Sequence, residues 1–289
     1  MDTPFAQFAG RVIVTDGAWG TQLQASGLPA GACPEEWNRS NPKAVQAVAA
    51  SYVEAGSDVI LTNTFRANRL ALPAAGLSEA AASLAEAGAA ISRRAAGEDV
   101  RVFASMGPTG KILMMGEVSA EEVYEAFAEQ ASALARGGAD AIVCETFTAL
   151  DEVTQAVRAV TDNTDLPVIV SMTFDSGPDR TATVMGVTPA DLAAAAAELG
   201  ATAIGANCGT GPGHYVKVAA LLRQATDLPI WIKPNAGLPV LKEGRTVFPM
   251  GPKDFAEFMP AIVDAGARFV GGCCGTTPDH IRAIRKTLG

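Results

Sequence analysis

The sequence predicts a closed (β/α)8 TIM barrel, and three observations carry that expectation. Eight short runs rich in β-branched residues alternate with eight alanine-rich stretches of helical character. The runs are continuously apolar rather than alternating, as parallel strands are when helices cover them. No Pro/Ser-rich linker interrupts the series, so residues 1–289 read as one domain. A doubly wound open sheet is the alternative built from the same ingredients.

In chain order, the strands are read at 12–16, 58–63, 100–106, 140–145, 167–173, 201–207, 229–233 and 268–272. Each is rich in Val, Ile, Ala or Phe and gives way to a turn bearing Gly, Asn, Asp or Thr. The helices are read at 43–55, 78–97, 118–136, 149–161, 188–199, 213–225, 252–265 and 278–288. Start signals support several of them: Asn41 before Pro42, Ser119 with Glu122 three residues on, Thr188 with Asp191, and Thr277 before Pro278.

Composition narrows the function classes. With 48% hydrophobic and 18% charged residues, the chain can bury a large core, and disorder is disfavoured. Its 22 basic against 31 acidic side chains leave a formal charge of −9, which opposes binding to a nucleic-acid backbone. The N-terminus lacks the basic-then-apolar pattern of a secretory signal, and no apolar run approaches the roughly 18 residues of a membrane span. A cytoplasmic protein is expected. Its five cysteines are an odd number, three of them in Gly-rich turns, which suits metal or catalytic thiols in a reducing compartment better than a disulfide framework.

In a barrel of this type the chemistry collects at the C-terminal ends of the strands, and there this chain carries its unusual residues. The ends read Asp16-Gly17, Thr62-Asn63-Thr64-Phe65, Cys144-Glu145-Thr146, Asn207-Cys208-Gly209, Lys233-Pro234-Asn235 and Gly271-Gly272-Cys273-Cys274-Gly275. Catalytic zinc commonly takes three protein ligands and keeps a fourth position open. Cys208, Cys273 and Cys274 can meet over the barrel axis to form such a face, and the flanking glycines permit the turn that aims the adjacent pair. A redox pair or plain burial are the competing readings of Cys-Cys. Cys33 and Cys144 are read as inert, and His214 and His280 as surface or capping residues. The segment Gly107–Lys111 lacks the leading Gly and trailing Ser/Thr of a phosphate loop. Lys233 stands where a barrel aldolase can hold a Schiff-base lysine, which makes a lyase the alternative enzyme class.

The ordered set Asp16-Gly17-Ala18-Trp19-Gly20-Thr21, Thr62-Asn63-Thr64-Phe65, Glu145-Thr146-Phe147, Asn207-Cys208, Pro234-Asn235-Ala236-Gly237 and Gly271-Gly272-Cys273-Cys274-Gly275-Thr276-Thr277-Pro278 resembles the homocysteine S-methyltransferase family. The likeness is nearest to the homocysteine-binding module of cobalamin-dependent methionine synthases, with betaine–homocysteine methyltransferases as a related branch. It implies one Zn2+ on Cys208, Cys273 and Cys274, homocysteine activated as a zinc thiolate, and Glu145 receiving the substrate ammonium. It also implies Asp16 and Gly17 beside the substrate, with Thr62, Asn63, Thr64, Phe65 and Asn235 lining the site. The methyl donor is then either methylcobalamin on a separate corrinoid protein or a small methyl-onium compound such as betaine. Trp37, Trp19 and Phe65 are the aromatic candidates for holding a quaternary ammonium. Arg66 and Thr146 stand where the betaine enzymes carry tyrosines, and a cationic Arg66 opposes a cationic donor. A non-catalytic zinc- or thiol-binding protein is the third class.

Overall fold

The computed structural model describes residues 5, 8, 10–72, 76–242 and 245–289. Its strands are β1 (Ile13–Val14), β2 (Val59–Ile60), β3 (Arg101–Met106), β4 (Ala141–Phe147), β5 (Val168–Met172), β6 (Ala203–Cys208), β7 (Ile230–Pro234), β8 (Val240–Lys242), β9 (Arg245–Val247) and β10 (Ala267–Val270). All but β8 and β9 form one parallel sheet in the order β1-β10-β7-β6-β5-β4-β3-β2. A parallel bridge from Thr15 to Val59 joins its two ends, so the sheet closes into the expected barrel.

The helices are α1 (Gly20–Ala25), α2 (Trp37–Ser40), α3 (Pro42–Glu54), α4 (Ala81–Ala96), α5 (Ala120–Arg136), α6 (Leu150–Asn163), α7 (Pro189–Leu199), α8 (Pro212–Ala225), α9 (Pro252–Ala256), α10 (Met259–Asp264) and α11 (Pro278–Leu288). Reciprocal capping boxes start α5 at Ser119/Glu122 and α7 at Thr188/Asp191. At α11 the partner of Thr277 is His280, whose Nδ1 accepts from the Thr277 backbone N–H, so this histidine is a capping residue. Asn41 makes no side-chain cap on α3, which begins at Pro42 instead. No helix among the described residues is long and apolar enough to cross a membrane.

Period-two alternation sorts the strand residues into two layers. Ile13, Val59, Phe103, Val143, Ile169, Ala203, Trp231 and Phe269 pack on one another inside the barrel. Their neighbours Val14, Ile60, Val102, Ile142, Val170, Ile204, Ile232 and Val270 pack with the helices. Trp231 fits because its opposite number on β6 is Gly205, where a Cβ would lie 1.9 Å from the Trp231 carbonyl oxygen.

Three sequence expectations need correction. The helix read at 252–265 is two, because Pro260 opens α10 in its first turn and cannot supply the backbone donor that would continue α9. The strands read at 12–16 and 58–63 pair as ladders only over two residues each, and the rest of each run is loop that carries site groups. The antiparallel hairpin β8–β9 after β7 was not expected. Its strands are three residues long and largely exposed, so no buried face shows in the pattern.

Candidate active site

Cys208 ends β6, and Cys273 and Cys274 follow β10. β7 alone separates the two strands in the sheet, so their ends are close. The three Sγ atoms all lie within 4.8 Å of one another. Tetrahedral zinc–sulfur bonds of about 2.3 Å put sulfurs about 3.8 Å apart, so small side-chain rotations suffice to hold one ion, and the donor set suits zinc. Without such a cation the cluster favours a single negative charge. Cys208 is shifted strongly down as the acceptor of thiol hydrogen bonds from Cys273 and Cys274, aided by the Gly209 N–H and Asn235. Cys273 and Cys274 are pushed up, chiefly through their bonds to Cys208 and then by burial. A dication is what lets all three thiols ionise together.

Local backbone holds the thiols in place. Cys208 has φ 67° and Thr146 φ 66°, two of the three non-glycine residues with left-handed backbone among the described residues. Asn207 knits them: its Oδ1 accepts from the Thr146 N–H at 2.9 Å, and its Nδ2 donates to Thr146 Oγ1 at 2.7 Å and reaches Cys273 Sγ at 3.8 Å. Asn235 Nδ2 donates to the Gly209 carbonyl at 2.8 Å and reaches Cys208 Sγ at 3.7 Å. The Cys273–Cys274 turn is pinned by Cys273 N–H to Pro234 O, Ala236 N–H to Cys274 O, and Thr276 Oγ1 to Cys273 O. Gly275 has φ 81° and lies under the Phe248 ring, so a side chain there would be strained and would collide.

A cavity of about 440 Å³ opens over the thiols. Of the residues singled out from sequence, Gly17, Thr62, Asn63, Phe65, Glu145, Cys208, Cys273 and Cys274 line it, as do Trp19, Arg66 and Lys233. Asp16, Thr64 and Asn235 stand behind the wall. Thr64 Oγ1 is taken by the Ser105 carbonyl at 2.6 Å, and Asn63 is braced by Pro34 and Asn38. Trp37 is not among the lining residues and packs against the core instead. Cys144 faces the helix layer beside Met106, its thiol pushed well up by burial. Cys33 sits half-buried against Glu35, raised to about 11 by burial and that carboxylate.

The buried charges form a chain. Asp16 Oδ1 takes an ion pair from Lys233 Nζ, while Asp16 Oδ2 accepts from Trp19 Nε1 at 2.8 Å and Leu61 N–H at 2.7 Å. Glu145 accepts from Ser105 Oγ. Burial pushes its carboxyl up, while Lys233 and Ser105 pull it back down. Ser105 is a site residue that the chemistry-first reading of the sequence passed over, and Asn207 and Thr276 were quoted there without a role. The signal for Ser105 is a lone polar side chain at the inward position next to a strand's end, in Val102-Phe103-Ala104-Ser105.

Three converging thiols at the mouth of a (β/α)8 barrel define a barrel protein with a cysteine cluster that could hold a thiophilic metal ion. The sequence profile of the Homocysteine S-methyltransferase family matches residues 13–288, and the chain belongs to that family of enzymes. It is 36% identical to methionine synthase of Mycobacterium leprae over 97% of its length and 24% of that protein's. Methionine synthase of Mycobacterium tuberculosis is also 36% identical, over 96% of this chain and 25% of its own. The chain thus spans about a quarter of the length of these curated relatives. Among solved structures, the metallated form of the homocysteine methyltransferase MmuM from Escherichia coli superposes with TM-score 0.82 at 25% identity, covering 98% of this chain and 99% of that one.

Proposed function

We propose that this protein methylates the sulfur of homocysteine to give methionine, with one zinc ion held by Cys208, Cys273 and Cys274 and the fourth position left for the substrate thiol. The observation that carries the reading is the convergence of three thiols at the floor of a cavity that also exposes a buried carboxylate, Glu145. A zinc ion there supplies the Lewis acidity that ionises a thiol whose free pKa is near 8.5.

The protein groups do the rest. Ser105 occupies Glu145 Oε1, which leaves Oε2 to accept a charge-assisted hydrogen bond from the substrate ammonium. Trp19, Leu61 and Phe65 make the wall apolar, so the reacting sulfur is held away from water. In the reaction the S–CH3 bond forms as the methyl–donor bond breaks, its electron pair leaves with the donor, and the thiol proton passes to solvent.

The donor is a methylcorrinoid or a small methyl-onium compound. Arg66 lines the cavity, with its guanidinium bonded to the Ala71 carbonyl, and a fixed cation there opposes a cationic donor. That favours the corrinoid. The aldolase alternative needs a free amine at Lys233, and Lys233 is paired with Asp16.

The test is a donor panel on the zinc-loaded protein: methylcobalamin, betaine, dimethylsulfoniopropionate and S-methylmethionine, each with homocysteine. Methionine from one of them supports the reading and names the donor. Protein purified under reducing conditions without stoichiometric zinc overturns the metal assignment. Bound zinc with no turnover from any donor leaves a thiol-binding protein.

A further inference from the structure

The turn that carries Cys273 and Cys274 belongs to a ring of hydrogen bonds closed by one imidazole. Cys274 O accepts from the Ala236 N–H at 3.0 Å, and Ala236 O accepts from the Met250 N–H at 3.1 Å. Met250 O meets His280 Nε2 at 3.0 Å, and His280 Nδ1 meets the N–H of Thr277, three residues past Cys274, at 3.1 Å. The strand-to-helix segment before α9 presses on the same turn. Phe248 and Pro249 fill the space beside Gly275 and Gly237, 2.1 and 3.4 Å from where a Cβ would stand. His280 is 4% exposed, hydrogen-bonds to none of the cysteines, and stands edge-on to the Phe255 ring at 5.4 Å between centroids.

This geometry fixes the protonation of the imidazole. A backbone N–H only donates and a carbonyl only accepts, so Nδ1 offers its lone pair to Thr277 and Nε2 carries its hydrogen to Met250. A second proton, on Nδ1, faces the Thr277 N–H, and the Thr277 hydroxyl at 2.9 Å is the one group placed to accept it among the described residues. The amide N–H at the start of α11 is then left unmet against a positive ring.

The surrounding charges do little to offset this. On α11 itself Asp279 is paired with Arg282, Arg285 is paired with Asp58, and Lys286 is exposed. On the helices packed against α11, Lys253 and Asp254 of α9, Glu257 just after it, Asp264 of α10, and Lys43 and Glu54 of α3 are all exposed. Tyr52 of α3 is spent on the Ala18 and Thr276 carbonyls. Burial therefore pushes the imidazole below its ordinary value, against the pull of Met250 O and Asp279.

We propose that neutral His280 is a positioning residue that latches the metal turn, and that its protonation loosens Cys274 and releases zinc in weak acid. The proposal rests on the zinc reading above and adds a pH-dependent control to that site. Linkage makes the control reciprocal: zinc orders the turn and so favours the neutral ring, and a proton on the ring lowers zinc affinity. A histidine held neutral by the fold contributes fully above its ordinary pKa of about 6.5, and the contribution is lost as pH falls below it.

Acid strips zinc from any thiolate site, so the test compares slopes. Zinc retained against a nitrilotriacetate zinc buffer under reducing conditions is read by elemental analysis between about pH 8 and about pH 5.5, for the parent, His280→Gln and His280→Ala. Glutamine at this third helical position accepts from the Thr277 N–H as in an ordinary capping box and does not titrate. Across that range the parent is expected to lose on the order of tenfold more affinity than His280→Gln, the size of one net hydrogen bond. His280→Ala is expected to bind more weakly than the parent at the upper limit and to converge with it at the lower. Nitrogen NMR supplies a readout that needs no zinc. With two histidines to assign, His280 is expected to carry its hydrogen on Nε2 and none on Nδ1 at the upper limit. Parallel zinc profiles in all three proteins make His280 structural only, and the opposite tautomer removes the acceptor the latch depends on; either result overturns the proposal. If His280→Ala fails to fold, the slope of His280→Gln against the parent decides alone. A parent without zinc even at the upper limit fails the metal reading, whereas parallel slopes in zinc-loaded proteins fail the latch alone.

Discussion

The two ends of the barrel are built from the same strands and do opposite work. Along the inward face, β3 steps from Phe103 to Ser105, β4 from Val143 to Glu145, and β7 from Trp231 to Lys233. At the N-terminal end the inward residues form an aromatic plug: Phe103 stacks on Trp231 at 6.1 Å between centroids, Phe269 tilts against Trp231 at 5.5 Å, and Phe5 closes over both phenylalanines. At the C-terminal end the same stripe turns to serine, glutamate, asparagine, lysine and cysteine. Two residues of rise separate a sealed hydrocarbon layer from buried charge and left-handed backbone. The comparison teaches a division of labour: the plug supplies stability, and the far end carries left-handed backbone and buried charge that a hydrocarbon layer would not keep.

The thiols give the sharpest way to break that division. Cys208→Ala, Cys273→Ala and Cys274→Ala are each expected to lose stoichiometric zinc and all methyl transfer while keeping a native unfolding transition. Elemental analysis beside thermal denaturation checks it, and a variant with full zinc removes its residue from the ligand set. The mirror experiment is Trp231→Ala. Removing a fully buried indole costs about 3–5 kcal/mol, read as a shift in the denaturant midpoint. Zinc stoichiometry is expected to hold, and its loss at native conditions shows that the ends are coupled.

The plug and the metal face differed in how legible they were in the sequence. Parallel strands betray themselves by unbroken apolar runs, so the barrel could be read residue by residue, and the cysteines stood out as chemistry at strand ends. Glu145 and Phe65 could be placed at the rim by the same logic. The ion pair of Lys233 with Asp16 could not. It joins β7 to the loop after β1, and pairing across 217 positions leaves no local pattern. Thr64 and Asn235 read as site residues in the sequence, and the fold sets them beside the cavity lining, Thr64 Oγ1 on the Ser105 carbonyl of β3 and Asn235 Nδ2 on the Gly209 carbonyl and Cys208 Sγ.

Asn207 sharpens the comparison at intermediate strength, because it sits on the inward stripe and belongs wholly to the upper end. It also accepts from Ser171 Oγ at 2.7 Å, which fixes the amide orientation that serves Thr146 and Cys273. Asn207→Ala removes the brace while sparing the ligands. Outer partners of metal ligands are worth about 10- to 100-fold in affinity, and a loss of that size in competition with a zinc chelator is expected. Unchanged affinity shows that the turn after β10 is held by its backbone bonds alone.

The smallest effect lies at the lower end, where β1 meets β2 and the barrel closes. Asp58 accepts from the Val14 N–H at 2.9 Å and pairs with Arg11 and Arg285, each at 2.7 Å. Burial pushes its carboxyl up, but Arg11, the Val14 N–H and Arg285 outweigh it and hold the group below its ordinary value. A carboxylate depressed in the folded state contributes stability that is present above its unfolded pKa and lost as pH falls through the folded one. Asp58→Asn is therefore expected to cost about 1 kcal/mol at neutral pH, a figure kept small by solvent screening of the arginines. The gap to the parent should close below about pH 4, near the ordinary aspartate pKa. Urea midpoints measured across pH read this directly, and a gap that persists in acid assigns the cost to the seam's hydrogen bond to Val14 rather than to charge. Zinc content should not move with this substitution. If it does, the seam transmits strain up β1 to Asp16, and the two ends are not independent.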